Sequence, residues 1–172
     1  MKSNPVYHSC VLLVNDIEKS KNFYKNILGQ KIIMDLGRNV GFDGGLSIWE
    51  KDYALGLIFH EKAKNIDVGV NNFEVYFETD DLDNLFSRLM KENVKVIHSI
   101  IEHPWGQRAF RIRDIDDHII EIAESMESVV IRLKMQGMSS EEIEKKSLMP
   151  KDFIRMTLKN YAFAENKHFH EE

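Results

Sequence analysis

Glu121 stands in the run Asp114-Ile115-Asp116-Asp117-His118-Ile119-Ile120-Glu121-Ile122, a tight turn feeding a short apolar strand. A bare carboxylate is too costly to bury. It must be solvated, hydrogen-bonded or metal-bound, so this strand is expected to face a wet cavity. A second carboxylate, Glu74, interrupts the strand-like run Phe73-Glu74-Val75-Tyr76-Phe77. Two glutamates on one cavity could work as acid and base, with burial raising one pKa. The alternative is that both are solvated or hydrogen-bonded cavity residues. Trp49 shares a face with Ser47 by period-two alternation and could stack on a ligand or simply fill core. The run His103-Pro104-Trp105-Gly106-Gln107-Arg108 precedes a strand at Ala109. There Arg108 could clamp an anion bidentately, and Trp105 could touch a ligand or anchor a dimer. Arg111 and Arg113 alternate along one face, a pattern usual for a solvated strand.

Other reactive side chains form no familiar constellation. The seven histidines include no pair at helical metal spacing with a glutamate between them. Two of them, His168 and His170, fall in the tail of residues 166–172, which is expected to fray. The single cysteine, Cys10, lies in an apolar run and reads as a buried, inert thiol. Residues 41–45 carry three glycines but no following Lys-Ser/Thr, so they are no phosphate loop.

The elements that must position these residues repeat. An apolar strand covers residues 8–14, and Asp16 caps a helix whose stripe is Ile17, Phe23, Tyr24, Ile27 and Leu28. Gly29 closes that helix as a left-handed cap. Ile32-Ile33-Met34 resumes as strand, Gly41, Gly44 and Gly45 punctuate, and Leu46-Ser47-Ile48-Trp49 is strand again. A shift of 65 residues maps Asp16 on Asp81, Ile17 on Leu82 and Ser9 on Glu74. Leu82, Leu85, Phe86, Leu89 and Met90 then give the helical stripe. Residues 94–97, 109–112 and 118–122 give the strands. The chain to about residue 124 is therefore two βαβββ units, covering about 6–50 and 72–124. The fold class is α+β, with the units forming a curved mixed sheet around a cleft and helices outside.

The opening Val14-Asn15-Asp16-Ile17-Glu18-Lys19-Ser20-Lys21-Asn22-Phe23-Tyr24, followed by Ile27-Leu28-Gly29, resembles that of the vicinal oxygen chelate superfamily. This superfamily holds glyoxalases, extradiol dioxygenases and bleomycin-resistance proteins. The stretch 114–121 resembles its closing motif, and the likeness covers residues 6–124. Metal-dependent members place ligands on the first and last strands of each unit. The resemblance puts those positions on Ser9, Ser47, Glu74 and Glu121. His8 is one residue off, and strand alternation turns it to the opposite face unless a bulge rescues it. Two glutamates and two hydroxyls would hold only a hard cation weakly. The site reads as degenerate, with no metal assigned and no cofactor expected. A divalent metal through Glu74 and Glu121 is the alternative.

Residues 125–172 change to helix alone. Val129, Val130, Leu133 and Met135 suit one helix ending near Gly137. Ser139 and Glu142 form a capping box. Pro150 suits the first position of a last helix, whose apolar residues are Phe153, Ile154, Met156, Leu158 and Tyr161. The pattern is similar to a small helix-turn-helix, and Lys151, Arg155 and Lys159 fall on one helix face. As many acids as bases occupy the segment, however, so nucleic acid is not the expected partner.

The whole chain of 172 residues has net charge −5, which argues against general nucleic-acid binding. No segment approaches transmembrane length or resembles a secretion signal, and the lone cysteine fits a reducing compartment. A cytoplasmic protein with no membrane contact is expected. Its domains are 1–124 and a helical extension, 125–172. The function implied is binding of a small organic molecule by a homodimer, with Ser9, Ser47, Trp49, Trp105 and Arg108 on the ligand and Glu74 and Glu121 as the reactive carboxylates. One alternative is a metal-dependent lyase or isomerase of the glyoxalase type. Another is a ligand-responsive regulator using the last helices.

Overall fold

The computed structural model describes residues 4–60 and 66–168. Strand β1 (Cys10–Val14) leads to α1 (Ile17–Asn22), which continues as a π-helical turn (Phe23–Ile27). Then come β2 (Ile32–Asp35), β3 (Asn39–Phe42), β4 (Leu46–Glu50) and α2 (Lys51–Phe59). The second repeat is β5 (Glu74–Thr79), α3 (Leu82–Lys91), β6 (Lys95–Glu102), β7 (Arg108–Arg113) and β8 (Ile119–Glu124). Three helices follow: α4 (Met126–Met135), α5 (Ser140–Ser147) and α6 (Lys151–His168).

Strand pairing gives two four-stranded sheets in the same order, β1-β4-β3-β2 and β5-β8-β7-β6. In each, the first strand of a βαβββ unit lies beside the last, which is the repeat read from the sequence. In the first sheet β1 runs parallel to β4, and the other pairs are antiparallel. The chain resolves into two compact units, residues 1–74 with 113–119, and residues 75–112 with 120–172.

Local signals explain the helix boundaries. The Asp16 carboxylate accepts from the Lys19 backbone N–H at 3.1 Å, satisfying an orphan donor of α1. Gly29 follows with φ +71°, as a left-handed cap requires. Asp81 occupies the cap of α3, but its carboxylate accepts from the Asn84 side chain instead of the backbone. The Ser139–Glu142 capping box forms on both sides, at 2.8 and 3.2 Å. Pro150 precedes α6, its carbonyl accepting from the Ile154 N–H, so it is the cap and not the first helical residue. Gly41 lies inside β3 and does not punctuate, because the strand is only four residues long and reads Asn-Val-Gly-Phe. Helix α6 runs through His168, three residues into the tail expected to fray, and His170 lies outside the described residues. Cys10 is half-buried, not buried.

In the first unit, Tyr24, Phe42, Val40, Ile48 and Val14 are fully enclosed. The turn before β8 is fastened there by its aspartates. Asp114 accepts from the Tyr24 hydroxyl at 2.8 Å and from the His118 ring and backbone. Asp116 accepts from Asn15 and from the Ser20 hydroxyl. Burial, together with Asp114, pushes the Tyr24 phenol well above its usual pKa, so it stays a donor. Gly69, at φ +69°, packs against this turn.

In the second unit, Phe110 and Ile112 of β7 are fully buried, and Phe110 meets Phe86 of α3 edge-on at 4.9 Å. The terminal helices have a core of their own in Val129, Val130, Leu133, Ile143 and Ile154. Glu124, 3% exposed, joins that core to the sheet by accepting from Arg108 and from Arg132 of α4. No helix among the described residues is long and apolar enough to cross a membrane.

Candidate functional site

The face of the second sheet that does not meet α3 is polar. Strand parity dictates it: Phe110 and Ile112 go to the helix, so Arg111 goes to the other side. Glu121 joins Arg111 there from β8. It is 5% exposed, and the Arg111 guanidinium donates directly to its Oε2. A buried carboxylate without a metal must be answered by such a charge-assisted bond.

Two histidines flank this pair. The His98 Nδ1 faces the Ser99 carbonyl at 2.8 Å, and its Nε2 faces Nη1 of Arg111 at 3.2 Å. A carbonyl only accepts and a guanidinium only donates. Both contacts therefore select the neutral tautomer with the proton on Nδ1 and the Nε2 lone pair on Arg111. The His103 Nε2 lies 3.8 Å from Glu121 Oε1, and its ring stacks on Trp105 at 4.5 Å with planes 13° apart. Trp105 donates its indole N–H to Gln107 Oε1 at 3.0 Å. Gln107, itself buried, donates to the Tyr76 hydroxyl and to the Glu124 carbonyl, each at 2.8 Å. The Tyr76 hydroxyl donates in turn to Glu78. Burial first, then the bond to Glu78, pushes the Tyr76 phenol up to about 12, so it too remains a donor at neutral pH.

The residues singled out from sequence fall into three groups. Glu121 and Trp105 come together through His103. Ser47 and Trp49 share a face of β4 in the first unit, where Ser47 lies opposite Val11 and Gly41, and Trp49 opposite Leu13 and Asn39. Ser47 is buried. The Trp49 indole meets Tyr53 edge-on at 6.4 Å, and its enclosed N–H has no hydrogen-bond acceptor among the described residues. Ser9 is half-buried just before β1, His8 is exposed, and Glu74 is exposed as the first residue of β5.

Arg108 has a different task from the anion clamp that its sequence context suggests. It stands on the helix-side face of β7, three residues from Arg111 and of opposite parity. Its Nε donates to Glu124 at 2.8 Å, and its two terminal nitrogens donate to Asp83 of α3 at 3.0 and 3.2 Å. The guanidinium holds protein carboxylates. Arg111 and Arg113 are likewise not simply solvated. Arg111 pairs with Glu121, and Arg113 donates to the Asp117 carbonyl and to Asn71.

Sequence reasoning gave Arg111 to a solvated strand face and no role to His98 or His103, yet one signal was present. The Asp114 N–H donates to the His118 carbonyl across the turn. Equal steps outward from that pair set Arg111 against Glu121 and Arg108 against Glu124, two opposite-charge pairs across adjacent strands.

The donor set fits a resident divalent ion poorly. Ser9 and Ser47 are neutral hydroxyls, which rarely ligate such ions. The Glu121 carboxylate already carries a cation on Oε2. No three His, Cys, Asp or Glu side chains among the described residues are grouped as metal ligands.

The doubled βαβββ fold defines a class. Residues 7–127 match the family model described as a glyoxalase-like domain, and the chain belongs to that family within the vicinal oxygen chelate superfamily. The chain is 35% identical to a protein of unknown function from Agrobacterium tumefaciens, with TM-score 0.66 over 72% of this chain and 97% of that one. It is 28% identical over 117 residues to the uncharacterized protein YraH of Bacillus subtilis, 64% of this chain and 91% of that one. Lactoylglutathione lyase from Agrobacterium tumefaciens shares the fold, at 20% identity and TM-score 0.55, over 72% of this chain and 96% of that one.

Proposed function

We propose that this protein binds a small organic molecule, in the manner of the glyoxalase/bleomycin-resistance type, without a tightly held divalent metal. One observation carries the reading: the family's last-strand carboxylate, Glu121, is neutralised by Arg111 from the neighbouring strand. A second cation at that oxygen would meet the guanidinium's charge in a poorly solvated place. The ligand-contact candidates are Ser9, Ser47 and Trp49 in the first unit and Trp105 in the second, with Glu74 and Glu121 as the polar candidates of their respective units. The enclosed Trp49 N–H supports this, because a buried donor lacking an acceptor costs about 1–3 kcal/mol unless a ligand oxygen supplies one. Residues 1–124 form the binding domain and 125–172 its helical extension. The protein works as a homodimer. Ile33, Met34 and Leu36 around β2, with Tyr53, Leu57 and Ile58 on α2, leave apolar surface for a second copy.

Elemental analysis of untagged protein tests the metal claim. Well under one equivalent of zinc, nickel or manganese is expected, and a stoichiometric ion lost on Glu121→Gln would overturn it. A thermal-shift screen of small organic compounds tests the binding claim. Stabilisation by at least one compound, weakened by Trp49→Phe, is expected, whereas compounds that act equally on both proteins would sink the assignment of Trp49.

A further inference from the structure

The turn between β6 and β7, residues 103–107, carries Trp105 and the His103 ring stacked on it. Trp105 is 38% exposed, so burial alone does not fix its ring. Its place depends on the His103 stack, on the bond to Gln107 and on the backbone between them. That backbone is tight. The His103 N–H donates to the Gln107 carbonyl and the Gly106 N–H to the His103 carbonyl, each at 2.8 Å.

The helical extension grips this turn. Arg132 of α4 donates through Nη2 to the Gly106 carbonyl at 2.5 Å, while Nε and Nη2 also donate to Glu124. Lys146 of α5 donates to Glu102, the last residue of β6, at 2.6 Å, and Arg132 Nη1 lies 3.6 Å from the same carboxylate. Gly106 itself lies against the helices. It has φ +82°, and a β-carbon there would come within 3.0 Å of Lys146 Cε and 3.5 Å of Leu133 Cδ1. A residue without a side chain lets α4 and α5 approach so closely. Gln107 completes the set by donating to the Glu124 carbonyl.

These contacts exceed what joining the helices to the sheet requires. Glu124 with its two arginines already makes that join. A partly exposed pair such as Lys146–Glu102 adds little stability. What it does is fix the point where β6 ends and the turn begins. Arg132, Leu133 and Lys146 all lie beyond residues 7–127, so the extension adds this hold to the glyoxalase-like domain.

Resting on the reading of Trp105 as a ligand contact, we propose that Arg132 and Lys146 are positioning residues of the binding site: through Gly106 and Glu102, the helical extension sets the ring of Trp105. With that ring it sets His103, whose Nε2 lies 3.8 Å from Glu121. The extension is then part of the site. Binding at Trp105 responds to changes on α4 and α5 that touch no ligand atom.

NMR of full-length protein carrying indole-labelled tryptophan tests this without a ligand. The chain has two tryptophans, and Trp105→Phe assigns their side-chain N–H signals. Arg132→Met and Lys146→Met are each expected to shift the Trp105 signal while leaving that of Trp49 in place. In a Trp49→Phe background, both should also make Trp105 fluorescence more open to quenching by acrylamide. Lys146→Arg, which keeps a cation for Glu102, should restore the wild-type signal. Ile154→Ala controls for stability, because it opens the core of the terminal helices. It should lower Tm and leave the Trp105 signal where it is. An unmoved Trp105 signal in folded Arg132→Met and Lys146→Met proteins overturns the proposal, as does an equal shift in Ile154→Ala. Lys146→Met alone decides where the arginine variant unfolds. Compounds whose binding ignores Trp105→Phe would instead refute Trp105 as a ligand contact, so the two failures are distinguishable.

Discussion

Glu124→Gln is expected to weaken the join between the sheet and the terminal helices. Glu124 is 3% exposed and accepts from the Arg108 backbone N–H at 3.1 Å, from Arg108 Nε at 2.8 Å, and from Arg132 at 2.8 and 3.0 Å. Breaking a fully buried pair costs about 3–5 kcal/mol. Here the arginine side chains are 27% and 20% exposed, so water recovers part of the loss, and glutamine keeps one acceptor oxygen. A cost of about 2–3 kcal/mol is therefore reasonable, or a fall in Tm of about 5–10 °C for a chain of this size. The pH dependence has a definite sign. Burial alone would raise the Glu124 pKa, but the hydrogen bonds from Arg132 and Arg108 together outweigh it and hold the carboxyl below its ordinary value. The folded state therefore releases this proton more readily than the unfolded chain. The stabilisation is present above the ordinary carboxylate pKa and is lost as pH falls through the lowered one. Denaturant unfolding of both proteins from neutral pH down through the acid range should show the gap closing on acidification. A gap that is absent at pH 7, or that stays constant into acid, would refute this account.

Leu133→Ala removes a fully buried side chain from the core of the terminal helices and should cost about 2–5 kcal/mol in chemical denaturation. Gly69→Ala should lower Tm more than a surface change does. It would place a β-carbon at positive φ, in collision with the Asp116 carbonyl oxygen and 2.7 Å from the carbonyl carbon of Asp117. Ending the chain after Glu124 removes Arg132 and the packed helical core together. The shortened protein should be less stable and should associate non-specifically by size-exclusion chromatography. Unchanged stability and solubility would mark the helices as an independent module.

The legible parts of this fold are those whose causes are local. Asp16, Gly29 and the Ser139–Glu142 box fix helix ends within one turn of chain, and all three are seen as read. The repeat was legible because two strands and a helix recur in the same order with similar caps. Helix α2 was not, because its apolar residues Tyr53, Ala54, Leu55, Leu57, Ile58 and Phe59 leave no polar side and hence no helical period. Strand β3 was lost behind Gly41. The site was only half legible. Glu121 announced itself as a carboxylate among apolar neighbours, but its partner lies ten positions earlier and becomes visible only once the register across the turn is known.

That register also explains why two arginines three residues apart on one strand serve different ends. A strand shows its side chains to alternate faces, so an odd separation puts Arg108 with α3 and Arg111 with Glu121. Each meets a glutamate of β8, and each pair spans the same two strands. Yet the first is completed by Asp83 and Arg132, from helices on both sides of it in sequence, and so fastens layers together. The second is completed by imidazoles. Of these, His98 meets the guanidinium and His103 lies beside the carboxylate. Acid should therefore loosen the Glu124 junction through its carboxylate, whose pKa the arginines hold low, and Glu124→Gln should remove that dependence.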